Sequence, residues 1–226
     1  MSETTTNKMI QLNHVKFGYS DTEVLDEINL TINEGEYVVL TGENGSGKST
    51  LMRLILGELK PDEGEIIIMG NDPKLKKQIG YVAQNGISKN QSFPATVEEI
   101  MVTGLYQELG LFHLPHKKHR KKIKDTLKEF GMDEFLKRRI GELSGGQQQR
   151  VAVARALIAG PNIIFADEPT GNLDTKSGNE VMDLLAGIQE NMNKTLIVIT
   201  HDQRVARMAK RQFSIVDGIL TEVTAS

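Results

Sequence analysis

The chain has 226 residues and a mass of 25.1 kDa, enough for one α/β domain or two small lobes around a real core. Hydrophobic residues make up 38% and charged residues 25%, the balance of a soluble globular protein, and no apolar run reaches the ~20 residues that span a bilayer. Cysteine is absent, which excludes a disulfide framework or thiolate site and fits a reducing cytosol, and the net charge of −3 argues against a broad nucleic-acid surface.

Met1–Lys8 is polar and Thr-rich, with no secretory leader, and is expected to be a flexible tail. Met9–Phe17, Asp26–Ile32 and Tyr37–Thr41 alternate at strand period, with turns at Gly18–Thr22 and Asn33–Gly35. The second turn is expected to close a hairpin, and the strands up to Leu40 to be antiparallel. Lys48–Leu56 reads as a helix that Gly57 stops. Pro61–Gly64 carries turn residues, and Glu65–Met69 and Ile79–Ala83 read as strands, again antiparallel in character. From Thr96 to Leu136 the pattern becomes helical, with breaks at Gly110 and Gly131, as for a helical lobe inserted into an α/β core. Then follow helix Gly146–Ala159, buried strand Asn162–Ala166, helix Lys176–Asn191, strand Thr195–Thr200 and helix Gln203–Lys210. Such alternation predicts a parallel sheet.

The segment Gly42, Glu43, Asn44, Gly45, Ser46, Gly47, Lys48, Ser49, Thr50 lies between a strand and a helix and matches the P-loop pattern in its proper context. Glycines let successive N–H groups point into one concavity, and the helix start adds positive potential. Lys48 can reach β/γ-phosphate oxygens, and Ser49 offers a hydroxyl to Mg²⁺. Ile163–Ala166 is a continuous apolar run, a strand buried on both faces, and it delivers Asp167 and Glu168 at its end. Asp167 is placed to hold Mg²⁺, directly or through water, and Glu168 to polarise an attacking water.

Ser144, Gly145, Gly146, Gln147 have the spacing of a capping box. Capping does not ask for two glycines in the first turn, where each costs about 1 kcal/mol relative to alanine. Their bareness suits a helix start that another molecule's phosphate approaches.

With these segments the chain resembles the ATP-binding cassette (ABC) ATPases over nearly its whole length. Tyr19 matches the aromatic residue that stacks on adenine. Gln84, in Tyr81-Val82-Ala83-Gln84, matches the Q-loop glutamine near Mg²⁺ and the attacking water. Asn172-Leu173-Asp174 matches the D-loop, and His201 matches the switch histidine at the γ-phosphate. The resemblance implies an α/β P-loop NTPase (RecA-like) core with an antiparallel β subdomain. It also implies an inserted α-helical subdomain at about 96–160, within a single domain 9–226 behind the tail 1–8. It implies catalytic roles for Glu168, His201, Gln84 and Lys48, and Mg²⁺ held by Ser49, Gln84 and Asp167. It further implies a head-to-tail homodimer binding two ATP, with Ser144, Gly145, Gly146, Gln147 and Asp174 facing the partner's nucleotide. Integral membrane permease subunits, and an extracytoplasmic solute-binding protein beside them, would be the other partners, with the chain on the inner face of the cell membrane.

Two segments bear on cargo. Phe93–Ile100 followed by Thr103-Gly104-Leu105-Tyr106 looks like the zinc/manganese importers. Pro169-Thr170-Gly171-Asn172-Leu173-Asp174 resembles cassettes of lipoprotein-release, macrolide-export and cell-division complexes. A non-transport ATPase of DNA repair or translation would carry a long coiled coil or a second cassette, and the sequence has neither. His113, His116 and His119 read as a polar helix start rather than a metal site, because spacing of three drifts around a helix and Pro115 interrupts it. The basic run Lys117–Lys122 reads as a solvated helix face.

Overall fold

The computed structural model describes residues 7–71, 79–84, 94–110 and 114–223. Expectations resting on Phe93, on His113 and on 85–92 lie outside the described residues. In chain order the elements are β1 (Lys8–Tyr19), β2 (Thr22–Asn33), β3 (Tyr37–Gly42), α1 (Lys48–Ile55), β4 (Glu63–Ile68), β5 (Ile79–Val82), α2 (Val97–Thr103), α3 (Tyr106–Leu109) and α4 (Lys117–Glu129). They continue with α5 (Gly145–Leu157), β6 (Ile163–Asp167), α6 (Thr175–Met192), β7 (Thr195–Ile199), α7 (Gln203–Ala206), β8 (Arg211–Val216) and β9 (Ile219–Val223). They fall into two compact units, one running up to Ile79 and resuming at Ile188, the other Gly80–Gly187.

The first unit holds an antiparallel sheet of order β2-β1-β4 and, beside one another, β7, β3, β8 and β9. β1 and β2 bury alternate apolar residues such as Ile10, Leu12, Leu25 and Ile28. β3 is apolar on both faces from Tyr37 to Leu40, and pairs parallel with β7 and with β8. That corrects two expectations. Asn33–Gly35 does turn the chain, since the Glu36 N–H donates to the Asn33 carbonyl at 3.3 Å. It closes no hairpin, because β2 and β3 belong to different sheets. The stretch up to Leu40 is not all antiparallel either: a strand apolar on both faces suits the middle of a parallel sheet.

Two strands that the periodicity above does not predict end the described chain. β8 and β9 form a hairpin about Asp217-Gly218, both with positive φ (47° and 76°), which a two-residue type I′ turn requires. Helix α7 stops at Ala206, short of the expected Lys210. Arg211 of β8 donates to the Thr31 carbonyl at 2.9 Å, to Glu36 at 2.8 Å and to Glu222 at 2.7 Å, tying β2, β3's approach and β9 together.

In the second unit β5 lies beside β6, whose residues 163–166 are fully buried. α2 packs on α4 and α5. Thr96 and Glu99 form a reciprocal cap at the start of α2. Gly110 and Gly131, both at positive φ, follow α3 and α4 as the breaks required. α4 buries His119, Ile123 and Leu127, one side chain per turn. The His119 ring is 4% exposed and its Nδ1 accepts the His116 N–H at 3.1 Å, so it is a cap and a core residue. Burial, reinforced by Lys118, pushes its pKa down. Among the described residues no group of three or more His, Asp or Glu is placed to hold a metal ion, and no helix is long and apolar enough to cross a membrane.

Candidate functional site

The first unit carries the phosphate cradle at the carboxyl end of β3. α1 starts directly at Lys48 with Gly47 as N-cap and no side-chain capping hydrogen bond, as suits a helix start that receives an anion. Gly47 has φ 102°, and a Cβ there would stand 2.7 Å from Leu25 Cδ2. Only glycine satisfies both the dihedral and the close approach of β2. The loop is braced by Ser46 N–H donating to the Glu43 carbonyl at 3.2 Å. The Ser46 hydroxyl oxygen is buried and has no hydrogen-bond partner among the described residues, as fits a group that receives a ligand. Lys48 is 8% exposed, and its Nζ donates to the carbonyls of Gly42 at 2.9 Å and Glu43 at 2.6 Å. The ammonium therefore lies across the loop rather than out in solvent. Ser49 is exposed and Thr50 buried.

Tyr19 ends β1 with its ring 45% exposed, edge-on to Phe17 with centroids 5.0 Å apart. Its hydroxyl accepts from Arg53 Nη1 of α1 at 3.2 Å, which ties an open aromatic face to the helix after the cradle. His201 follows β7 and is exposed. Because β3 and β7 are parallel, and the Thr200 N–H donates to the Leu40 carbonyl at 3.1 Å, the histidine and the cradle leave the same edge of the sheet. Asp202, not His201, caps α7 by accepting the Arg204 N–H at 2.8 Å. Arg204 holds the Asp202 carboxyl below its usual range.

The second unit carries the acids. Asp167 ends β6, and its Oδ2 accepts the Tyr81 hydroxyl at 3.3 Å. Glu168 is 7% exposed with φ 45°, an uncommon conformation for a non-glycine residue, and its carbonyl accepts the Gly171 N–H at 3.1 Å. A tight turn thus sets the direction of Glu168. Gln84 is exposed, and its backbone carbonyl accepts from Asn172 Nδ2 at 3.4 Å. The glutamine loop and the Asn172-Leu173-Asp174 loop are therefore joined within this unit.

Ser144 and Gln147 form the expected reciprocal cap of α5: Ser144 N–H donates to Gln147 Oε1 at 3.0 Å and Gln147 N–H to Ser144 Oγ at 3.3 Å. The two glycines also have an intramolecular reason that the sequence did not disclose. A Cβ on Gly145 would stand 3.2 Å from Leu173 Cδ2, and one on Gly146 3.1 Å from both Cβ and Oγ of Ser177. Asp174 caps α6, accepting the Ser177 N–H at 3.0 Å and its hydroxyl at 2.7 Å. Those two bonds, the backbone one first, pull the Asp174 carboxyl below its ordinary range. Arg53 and Ser177 were missed by motif reasoning, and Tyr81 and Asn172 were named only as members of their motifs, without the contacts they make. Only Ser177 left a legible signal, the three-residue spacing from Asp174 that a helix cap uses.

The family model described as ABC transporter matches residues 25–171, more than half of the chain. The zinc uptake system ATP-binding protein ZurA of Listeria innocua is 41% identical over 199 residues, covering 87% of this chain and 77% of that protein. The lipoprotein-releasing system ATP-binding protein LolD of Rickettsia typhi is 39% identical over 219 residues, covering 92% and 93%. The dimeric post-hydrolysis structure of the ATP-binding cassette MJ0796 bound to ADP and Pi superposes with TM-score 0.76 at 33% identity, covering 96% of this chain and 98% of that one. The chain therefore belongs to the ABC transporter family as one of its ATP-hydrolysing cassettes.

Proposed function

We propose that this chain is the ATP-hydrolysing subunit of a metal-ion importer, acting as a head-to-tail homodimer beneath separate integral membrane permease subunits. The observation that carries the ATPase part is the Gly42–Thr50 cradle, with a helix start that no side chain caps and a buried, loop-spanning Lys48. Zinc or manganese as cargo draws on the likeness to ZurA and on the sequence of the Phe93–Tyr106 segment. An extracytoplasmic solute-binding protein is the expected third component, and the inner face of the cell membrane the expected location.

In this reading Tyr19 stacks on adenine, and the N–H groups of the cradle and Lys48 hold the phosphates. Glu168 takes a proton from the attacking water, while Gln84 and His201 orient that water and the γ-phosphate. Ser144, Gly145, Gly146, Gln147 and Asp174 meet the nucleotide of the other copy. The hard oxygen donors Ser49, Gln84 and Asp167 fit Mg²⁺, which takes one or two carboxylates together with substrate phosphates rather than an all-protein cage. When bound, Mg²⁺ neutralises charge on the β- and γ-phosphates. Lys48 would have to exchange its carbonyl partners for phosphate oxygens as ATP enters.

Glu168→Gln tests the dimer mechanism. The variant should bind ATP, lose turnover and accumulate as a dimer at saturating ATP and Mg²⁺ in gel filtration. A monomer under those conditions would refute the sandwich. A second reading, service to a lipoprotein-release, macrolide-export or cell-division complex, draws on Pro169-Thr170-Gly171-Asn172-Leu173-Asp174 and on the likeness to LolD. Purification from membranes separates the two: a permease with a large extracytoplasmic domain favours the second, and a compact metal permease the first.

A further inference from the structure

Ser144–Gln147 and the D-loop are separate segments of the sequence, and one side chain binds the second and limits the space beside the first. Ser177 of α6 holds the Asp174 carboxylate through its N–H at 3.0 Å and its hydroxyl at 2.7 Å. The same Ser177 Cβ and Oγ would both lie 3.1 Å from a Cβ on Gly146, tighter than side chains ordinarily pack. Leu173 stands next to Gly145 in the same way, at 3.2 Å, but through the movable end of its side chain. The Arg150–Glu180 ion pair, at 2.6 Å, joins α5 to α6 one turn further along. All these contacts lie within the second unit.

We propose that Ser177 is a positioning residue: it sets the register between Ser144–Gln147 and Asp174, so that one copy presents both to its partner as a single rigid face. The inference rests on the reading that these segments contact the partner's nucleotide. An alanine at Gly146 that only crowded an approaching phosphate would cost activity whatever side chain stood at position 177. Here alanine would push first on Ser177, a short side chain that cannot swing away without releasing Asp174. The glycine is then required in part by α6, and the damage done by a larger residue is transmitted through Ser177. The contact acts on the geometry of the closed dimer, not on nucleotide capture by one copy. Its signature is a loss in kcat with KM for ATP nearly kept.

The test is a double-mutant cycle on the full chain with Gly146→Ala, Ser177→Gly and both together. Steady-state ATPase kinetics are measured, and ATP-dependent dimerisation is followed in a Glu168→Gln background. Gly146→Ala should lower kcat by about tenfold or more with KM within about twofold. Ser177→Gly keeps the backbone N–H bond to Asp174 and removes only the side chain, so alone it should cost a few-fold. In the double variant it should restore most of the loss, the non-additivity of directly coupled residues. A double variant no better than Gly146→Ala, or a fully active Gly146→Ala, overturns the proposal. Should Gly146→Ala fail to fold by circular dichroism, Ser177→Leu inserts the bulk from the α6 side. It should lower kcat with KM retained, and an unchanged kcat overturns the proposal equally. Failure of the underlying nucleotide reading looks different: the Glu168→Gln parent would then form no ATP-dependent dimer at all.

Discussion

Alanine at Gly47 and at Gly45 should separate backbone strain from steric contact inside the phosphate cradle. Both glycines have positive φ, 102° and 87°, so alanine at either pays a dihedral penalty of about 1–2 kcal/mol. At Gly45 that is the whole cost, since nothing lies within 4 Å of an added Cβ. At Gly47 the Cβ would meet Leu25 Cδ2 at 2.7 Å and the Val24 carbonyl oxygen at 3.1 Å. The leucine methyl can yield and the carbonyl cannot, so overpacking adds about 1.5 kcal/mol. For a chain of this length each kcal/mol moves Tm by about 2–4 °C. Gly47→Ala should therefore melt about 3–6 °C below Gly45→Ala. The assay is thermal unfolding by circular dichroism in nucleotide-free buffer, where lost phosphate contacts contribute nothing. Equal melting temperatures, or a lower one for Gly45→Ala, would refute the claim that β2 limits the cradle at Gly47.

Ser144→Arg should abolish ATP turnover while leaving the nucleotide affinity of the monomer intact, measured by equilibrium binding. Loss of the Ser144 cap should also cost about 1 kcal/mol of stability, and unchanged turnover would remove this segment from the site. Burial pushes the Glu36 carboxyl up, yet the side-chain and backbone donors of Asn33 and the guanidinium of Arg211 outweigh it and leave its pKa lowered. A lowered folded-state pKa gives stability that is present above the unfolded value and lost as pH falls through the folded one. Tm should therefore drop below about pH 4.5. Glu36→Gln should flatten that part of the acid limb, and parallel curves for the two proteins would show that Glu36 does not contribute.

Much of the site was legible because its chemistry is local. The cradle, the strand-end acids and the capping box are each short runs whose spacing alone dictates geometry, and the Ser144–Gln147 cap formed as the spacing predicts. The helix breaks at Gly110 and Gly131 were legible for the same reason. Strand partners were not. Asn33–Gly35 has the composition of a hairpin turn, but whether β3 pairs back on β2 depends on which sheet can bury both its faces. The closing hairpin at Asp217-Gly218 carried a local signal that helix–strand periodicity passes over.

Nucleotide-phosphate binding was readable from Gly42–Thr50 alone, because backbone N–H direction and helix polarity follow from residues adjacent in the chain. The family was readable too, from the order of several such segments. The neighbours of the glycines in Ser144–Gln147, the partners of the Asp174 carboxylate and the reach of Tyr81 to Asp167 emerged from the folded arrangement. Those contacts join residues far apart in the chain, and close packing between elements, which sets them, has no period that a linear pattern can display.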